Sequence, residues 1–113
     1  MINSMLTDEV NSVDADQVFH ALGEATRRRI IAQLSSADQS VSSLAGPLGI
    51  TVTAVAQHLA VLEAARLIKT AKVGRVRTCS LDPAGFAALE RWVLERKPRW
   101  EQRFDRLADL LDE

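Results

Sequence analysis

Apolar side chains along this sequence recur mostly every three or four residues, the spacing of helices that bury one face. Val18, Phe19 and Leu22 keep that spacing ahead of Gly23. A second helix is expected over residues 24–37, with Ile30, Ile31 and Leu34 on one side and Ser35, Ser36 and Asp38 ending it. A short third helix over residues 42–48 brings in Leu44, Ala45 and Leu48, and Pro47 with Gly49 should stop it. Thr51 is a good N-cap for a fourth helix over residues 52–65, whose apolar side carries Val52, Val55, Leu59 and Leu62. The period then shortens to two. Residues 68–71 and 75–81 read as strands around Val73 and Gly74, a hairpin. Asp82 caps and Pro83 opens a long last helix marked by Phe86, Leu89, Trp92 and Val93, which Pro98 is expected to kink or to divide. Beyond it Trp100, Phe104, Leu107 and Leu111 repeat at intervals of four, three and four. Residues 1–13 have no clear period and read as a frayed arm ahead of one domain at residues 14–113. The fold class is mainly α with a small β-hairpin.

The order of short helix, turn at Gly49, Ile50 and Thr51, and following helix matches a helix-turn-helix, and the hairpin behind it makes a wing. In such a unit the second helix buries one face to hold its angle and offers the other to the major groove of DNA. Rotation by the helical period puts Thr53, Gln57 and Val61 opposite the apolar side, with Ala54 and His58 on a flank. Thr53, Ala54 and Gln57 are small or polar and lie near the helix N-terminus, so they are the candidate base readers. Gln can bond both N6 and N7 of adenine, and Thr and Ala can touch the thymine methyl. Thr51 at the helix start favours a nearby phosphate, and His58 on the flank suits a phosphate or a structural hydrogen bond. Lys69, Lys72, Arg75 and Arg77 put four cations on or beside the wing, where they would hold phosphate without reading much sequence. Arg27, Arg28 and Arg29 occupy a helix's first turn, a poor place for cations. An external phosphate would relieve that mismatch, and Arg27 joins the phosphate candidates; solvent-exposed arginine is the bland alternative.

Charge sharpens this picture. The net charge of −1 argues against a nucleic-acid partner until its distribution is seen. Residues 1–24 hold five acidic and no basic side chains, residues 25–82 hold eight basic and three acidic, and residues 83–113 hold six basic and seven acidic. The basic block coincides with the helix-turn-helix and wing. The chain has 113 residues, 47% of them hydrophobic, enough for a modest core that a dimer interface would help to stabilise. No run of eighteen apolar residues suggests a membrane span, the start lacks the pattern of a signal peptide, and a single cysteine forms no internal disulfide. These features point to the cytoplasm.

Three stretches carry a family likeness: ALGEATRRRIIAQL, SVSSLAGPLGITVTAVAQHLAVLEAARLI and VGRVRTCSLDP. Together they resemble the arsenical-resistance repressor (ArsR/SmtB) family of winged helix-turn-helix regulators, in register over residues 17–83. The part from Val55 to Leu67 is the most specific. The resemblance implies a homodimer joined through its terminal helices, binding an imperfect palindrome in double-stranded DNA. It also implies repression relieved by a metal, a redox change or a small-molecule inducer. Phe19, Trp92, Trp100, Phe104, Leu107 and Leu111 are the dimer-interface candidates. The departures are informative. Metal-sensing members often carry a Cys-x-Cys site on the short helix, where this chain has Val41, Ser42, Ser43 and Leu44, and others use Asp and His pairs on the last helix, whereas residues 83–113 contain no His or Cys. Transition-metal affinity usually needs thiolate or imidazole, so no metal site and no cofactor are expected. Ala65 stands where the family commonly has glycine, which bears on how the wing departs. The C-terminal tryptophans and charged turn are similar to a non-metal subgroup.

Cys79 alternates with Leu81 and is expected to be a buried packing thiol rather than a redox switch. Trp92, Trp100 and Phe104 suit a core or dimer contact better than a ligand pocket. No paired carboxylates, nucleophile with base, or Gly-rich phosphate loop suggests an enzyme. Two alternatives stand beside a DNA-binding repressor. One is a metal-responsive repressor of the same family, which the missing ligands disfavour. The other is a winged helix that docks a protein, which needs neither the basic wing nor the small polar reading face.

Overall fold

The computed structural model describes residues 13–112, so most of the expected N-terminal arm lies outside the described residues. The elements run in the order α1 (Ala15–Leu22), α2 (Ala25–Ser36), β1 (Gln39–Ser40), α3 (Val41–Leu48), α4 (Val52–Ala64), β2 (Ile68–Val73), β3 (Val76–Leu81) and α5 (Pro83–Asp112). Four helix starts are set by side chains that take an orphan backbone N–H. Asp14 accepts from Asp16 N at 2.9 Å, Glu24 from Arg27 N at 2.8 Å, Ser40 from Ser43 N at 3.1 Å and Thr51 from Ala54 N at 3.1 Å. Asp82 accepts from Ala84 N at 3.0 Å at the start of α5, as its place before Pro83 predicts. Gly49 ends α3 in the left-handed conformation, at φ 67°, which a glycine adopts without steric cost.

Val18 and Ala21 of α1, Ile30 and Leu34 of α2, Leu44 and Leu48 of α3, and Val55, Leu59 and Leu62 of α4 converge on one core with Leu67, Ile68 and Cys79. Cys79 is fully buried, and burial pushes its thiol above the ordinary value, as suits a packing residue. The strands form an antiparallel sheet in the order β1-β3-β2, with Ile68 opposite Leu81 and Thr70 opposite Cys79. The strand β1, absent from the periodicity, pairs Gln39 with Cys79 and Ser40 with Thr78. It ties the start of α3 to the wing.

Three expectations are corrected. The helix α5 is not divided at Pro98 but runs through it as one element of 30 residues, about 45 Å along its length. A proline inside a helix removes one hydrogen bond and crowds one carbonyl, and the chain absorbs both without a break. Val52 is half exposed rather than part of the core, because the first residue of α4 stands beyond the elements that cover Val55. Val61, placed on the outward face by rotation, packs instead against the core margin. With Ala60, Ala64 and Ala65 it floors a groove of about 530 Å³ against Asp14, Asp16, Gln17 and His20 of the α1 region. No single helix among the described residues is long and apolar enough to cross a membrane.

Candidate nucleic-acid interface

The axes of α3 and α4 meet at 110° across residues 49–51, within the range of a helix-turn-helix. Val55, Leu59 and Leu62 anchor α4 in the core. That leaves Thr53 and Gln57, one helical turn apart, exposed together near its N-terminus, with the half-buried Ala54 between them. The side chains of Thr53 and Gln57 make no hydrogen bond among the described residues. Half-exposed Val52 beside them adds an apolar contact that the sequence pattern had assigned inward.

The wing departs from α4 through a strained junction. Arg66 has φ 57°, the left-handed region, which costs a non-glycine residue roughly 1–2 kcal/mol. Ala65, where a glycine was missed, keeps ordinary helical angles, so the sharp turn falls one residue later. Three contacts hold Arg66 there: its N–H donates to Glu63 O at 3.0 Å, its carbonyl accepts from Gly85 N at 2.8 Å, and its guanidinium lies 3.8 Å from the Asp82 carboxylate. At the other end, Gly74 at φ 64° opens a two-residue turn between β2 and β3.

The strand register sorts the wing cations. Lys72 stands opposite Arg77, so both share the face that carries Ile68, Thr70 and Cys79. Lys69, opposite Ser80, faces the other way, and Arg75 lies in the turn. Lys69, Lys72 and Arg75 are exposed. Arg77 donates from Nη2 to Thr70 Oγ1 at 3.3 Å and is therefore already engaged within the chain.

The arginines of α2 are engaged too. Arg27 donates from Nε to Ala21 O at 2.7 Å and from Nη2 to His20 O at 3.2 Å. Arg28 donates to Leu22 O at 2.7 Å and Arg29 to Pro47 O at 3.3 Å. These carbonyls end α1 and α3, the negative ends of those helices. The mismatch of three cations at the start of α2 is thus eased inside the molecule. The Glu24 carboxylate also faces this helix start, and its bond from the Arg27 N–H holds its pKa below the ordinary value. His58 is half-buried, its Nδ1 3.8 Å from Glu24 Oε2, so it leans on the start of α2.

Phe19 of α1 meets Trp92 of α5 edge to face, with centroids 4.9 Å apart, and Arg96 stacks over the Trp92 ring at 3.8 Å. Phe104, Leu107 and Leu111 are 68%, 53% and 78% exposed, and Leu110, which the sequence pattern did not single out, is 70% exposed. The side chain of Trp100 lies outside the described residues.

Comparison with known proteins agrees with this geometry. The sequence profile of the bacterial regulatory protein, arsR family, matches residues 24–70. The HTH-type transcriptional regulator Rv2034 of Mycobacterium tuberculosis is 39% identical over 97 residues, which cover 86% of this chain and 88% of that protein. Among solved structures, an ArsR-like transcriptional regulator from Rhodococcus sp. RHA1 superposes with a TM-score of 0.71 at 33% identity, covering 86% of this chain and 89% of that one. A homodimeric winged helix-turn-helix DNA-binding domain, Mb0332 from Mycobacterium bovis, shares the fold with a TM-score of 0.59 at 21% identity, covering 88% of this chain and 86% of that one. The chain belongs to the arsR family of bacterial regulatory proteins and is a DNA-binding winged helix-turn-helix transcriptional regulator.

Proposed function

We propose that the protein is a cytoplasmic repressor, not an enzyme, that binds an inverted-repeat operator as a homodimer. The observation that carries this reading is α4 itself, held at 110° to α3 with Thr53 and Gln57 exposed together at its start. In this reading Thr53, Gln57, Ala54 and Val52 meet base edges in the major groove. Thr51, Lys69, Lys72 and Arg75 meet phosphate. Two reading helices in one dimer would lie about 34 Å apart, one turn of DNA. The exposed stripe on α5 and the Phe19–Trp92 contact supply the surface for the second protomer, an arrangement for which Mb0332 offers a homodimeric precedent. The donor set supports a signal other than a transition metal, since α3 opens with Val41, Ser42 and Ser43 and α5 carries no His or Cys.

Fluorescence anisotropy on the upstream DNA of its own gene, against random duplex and across a salt series, tests the reading. Gln57→Ala should weaken operator binding about 10- to 100-fold, the value of one bidentate base contact, and leave random DNA nearly unchanged. Equal loss on both would remove Gln57 from base reading. Arg75→Ala should weaken both and lower the slope of log affinity against log salt by about 0.9, one phosphate contact. An unchanged slope would take Arg75 off the phosphate surface.

A further inference from the structure

Thr70 lies in the middle of β2, and its hydroxyl is the meeting point of two elements. It donates to Glu63 Oε1 in the last turn of α4 at 3.4 Å, and it accepts from Arg77 Nη2 on β3 at 3.3 Å. One hydroxyl can do both, having one donor and two acceptor positions. The three side chains also share the lining of a small cavity of about 200 Å³ with Val41, Ala56, Leu59 and Ala60, at the inner angle between reading helix and wing.

The mechanical setting gives this relay a purpose. Along the backbone, α4 and β2 are joined only by residues 65–67, which include the left-handed Arg66. From that hinge β2 runs six residues to the wing tip, about 20 Å at strand rise. A change of about 10° at the hinge would therefore move the tip by on the order of 3 Å, enough to break a phosphate contact. The relay lies part-way along this lever and opposes that rotation. It also engages an exposed cation on β3: Arg77 donates to Thr70, with Glu63 behind it.

We propose that Thr70 is a positioning residue that, through Glu63 and Arg77, locks the wing to the reading helix so that both meet DNA as one rigid body. This rests on the reading of α4 and the hairpin as the two DNA-contacting elements. Arg77 then contributes to recognition through geometry, while Lys69, Lys72 and Arg75 contribute through charge.

Thr70→Val keeps the β-branched shape that a strand favours and removes only the hydroxyl; Thr70→Ser keeps the hydroxyl. Two measurements separate the relay from the wider reading. In the DNA-free protein, hydrogen exchange of the wing amides at residues 72–76 should speed up about tenfold in Thr70→Val, the worth of one or two hydrogen bonds, and stay near wild type in Thr70→Ser. Unchanged exchange in Thr70→Val overturns the relay, whatever DNA binding does. On DNA, Thr70→Val should lose about tenfold of its preference for operator over random duplex with the salt slope unchanged, and Thr70→Ser should recover it. A slope lowered by about 0.9 would make Arg77 a phosphate contact instead and overturn the positioning role. Glu63→Gln should slacken the hold on Arg77 and raise affinity for random DNA; a wild-type affinity there also counts against the relay. Failure of the wild-type protein to prefer its operator would overturn the functional reading alone, because the exchange result stands without DNA.

Discussion

Phe104→Glu combined with Leu107→Glu should leave the protein monomeric at micromolar concentration and lower its affinity for an inverted-repeat operator by on the order of a thousandfold, the range lost when a two-site binder becomes single-site. The reasoning starts from exposure. The described side chains of α5 beyond residue 96 are all exposed, and Phe104, Leu107 and Leu111 form a stripe on it at intervals of three and four. That spacing is the seam of paired helices. Burying each such side chain is worth about 1.5–3 kcal/mol, so two of them carry a large share of a dimer's stability. A carboxylate at each site replaces that gain with the cost of placing charge in an apolar seam. Sedimentation equilibrium reads the first half of the expectation and anisotropy on full and half operators reads the second. A variant that remains a tight dimer would place the interface elsewhere; a monomer with undiminished operator affinity would mean that one protomer suffices for binding.

Gly85→Ala is expected to cost about 3 kcal/mol of stability, the upper end for forcing an extra methyl into a packed site. For a domain of this size that is a fall in Tm of about 10–20 °C. A Cβ at Gly85 would stand 2.7 Å from both Ala65 O and Arg66 O and 2.9 Å from Arg66 C. Those are backbone atoms, and moving them means rebuilding the left-handed junction between reading helix and wing. The Gly85 N–H bond to Arg66 O would be strained as well. Gly46 in α3 is the internal control, since a Cβ there meets nothing within 4 Å. Gly46→Ala should be neutral or gain about 0.5–1 kcal/mol of helix preference. Thermal melts followed by circular dichroism at one protein concentration compare the two. Similar melts would show that α5 can settle away from the junction at little cost.

The helix-turn-helix was legible because its core needs a strict rhythm. Val55, Leu59 and Leu62 cannot be shifted without exposing them, and Thr51 and Asp82 cap where their chemistry says they should. What the sequence concealed was spatial. A run such as Arg27, Arg28 and Arg29 displays its charge, but the carbonyls of Ala21, Leu22 and Pro47 that accept from it are brought near only by the packing of three helices. Two residues, Gln39 and Ser40, are too few to show a period of two. Wing cations look equivalent until the register puts Lys69 and Lys72 on opposite faces. The rotation rule misplaced Val61 because the groove wall beside α1 widens the covered face of α4, and misplaced Val52 because helix ends outrun their cover.

The strand order β1-β3-β2 leaves β2 with an open outer edge, and that edge carries Lys69 and Lys72. An unpaired strand edge is a template for another strand, and lysines discourage such pairing because the charge would have to be buried. The two lysines therefore guard against aggregation as well as serving the DNA contact proposed for them. Neutralising them would expose a six-residue strand ending in Val73, itself 67% exposed, to its neighbours in a crowded solution. The wing's charge is thus constrained twice over, once by the partner it should meet and once by the copies of itself that it should not.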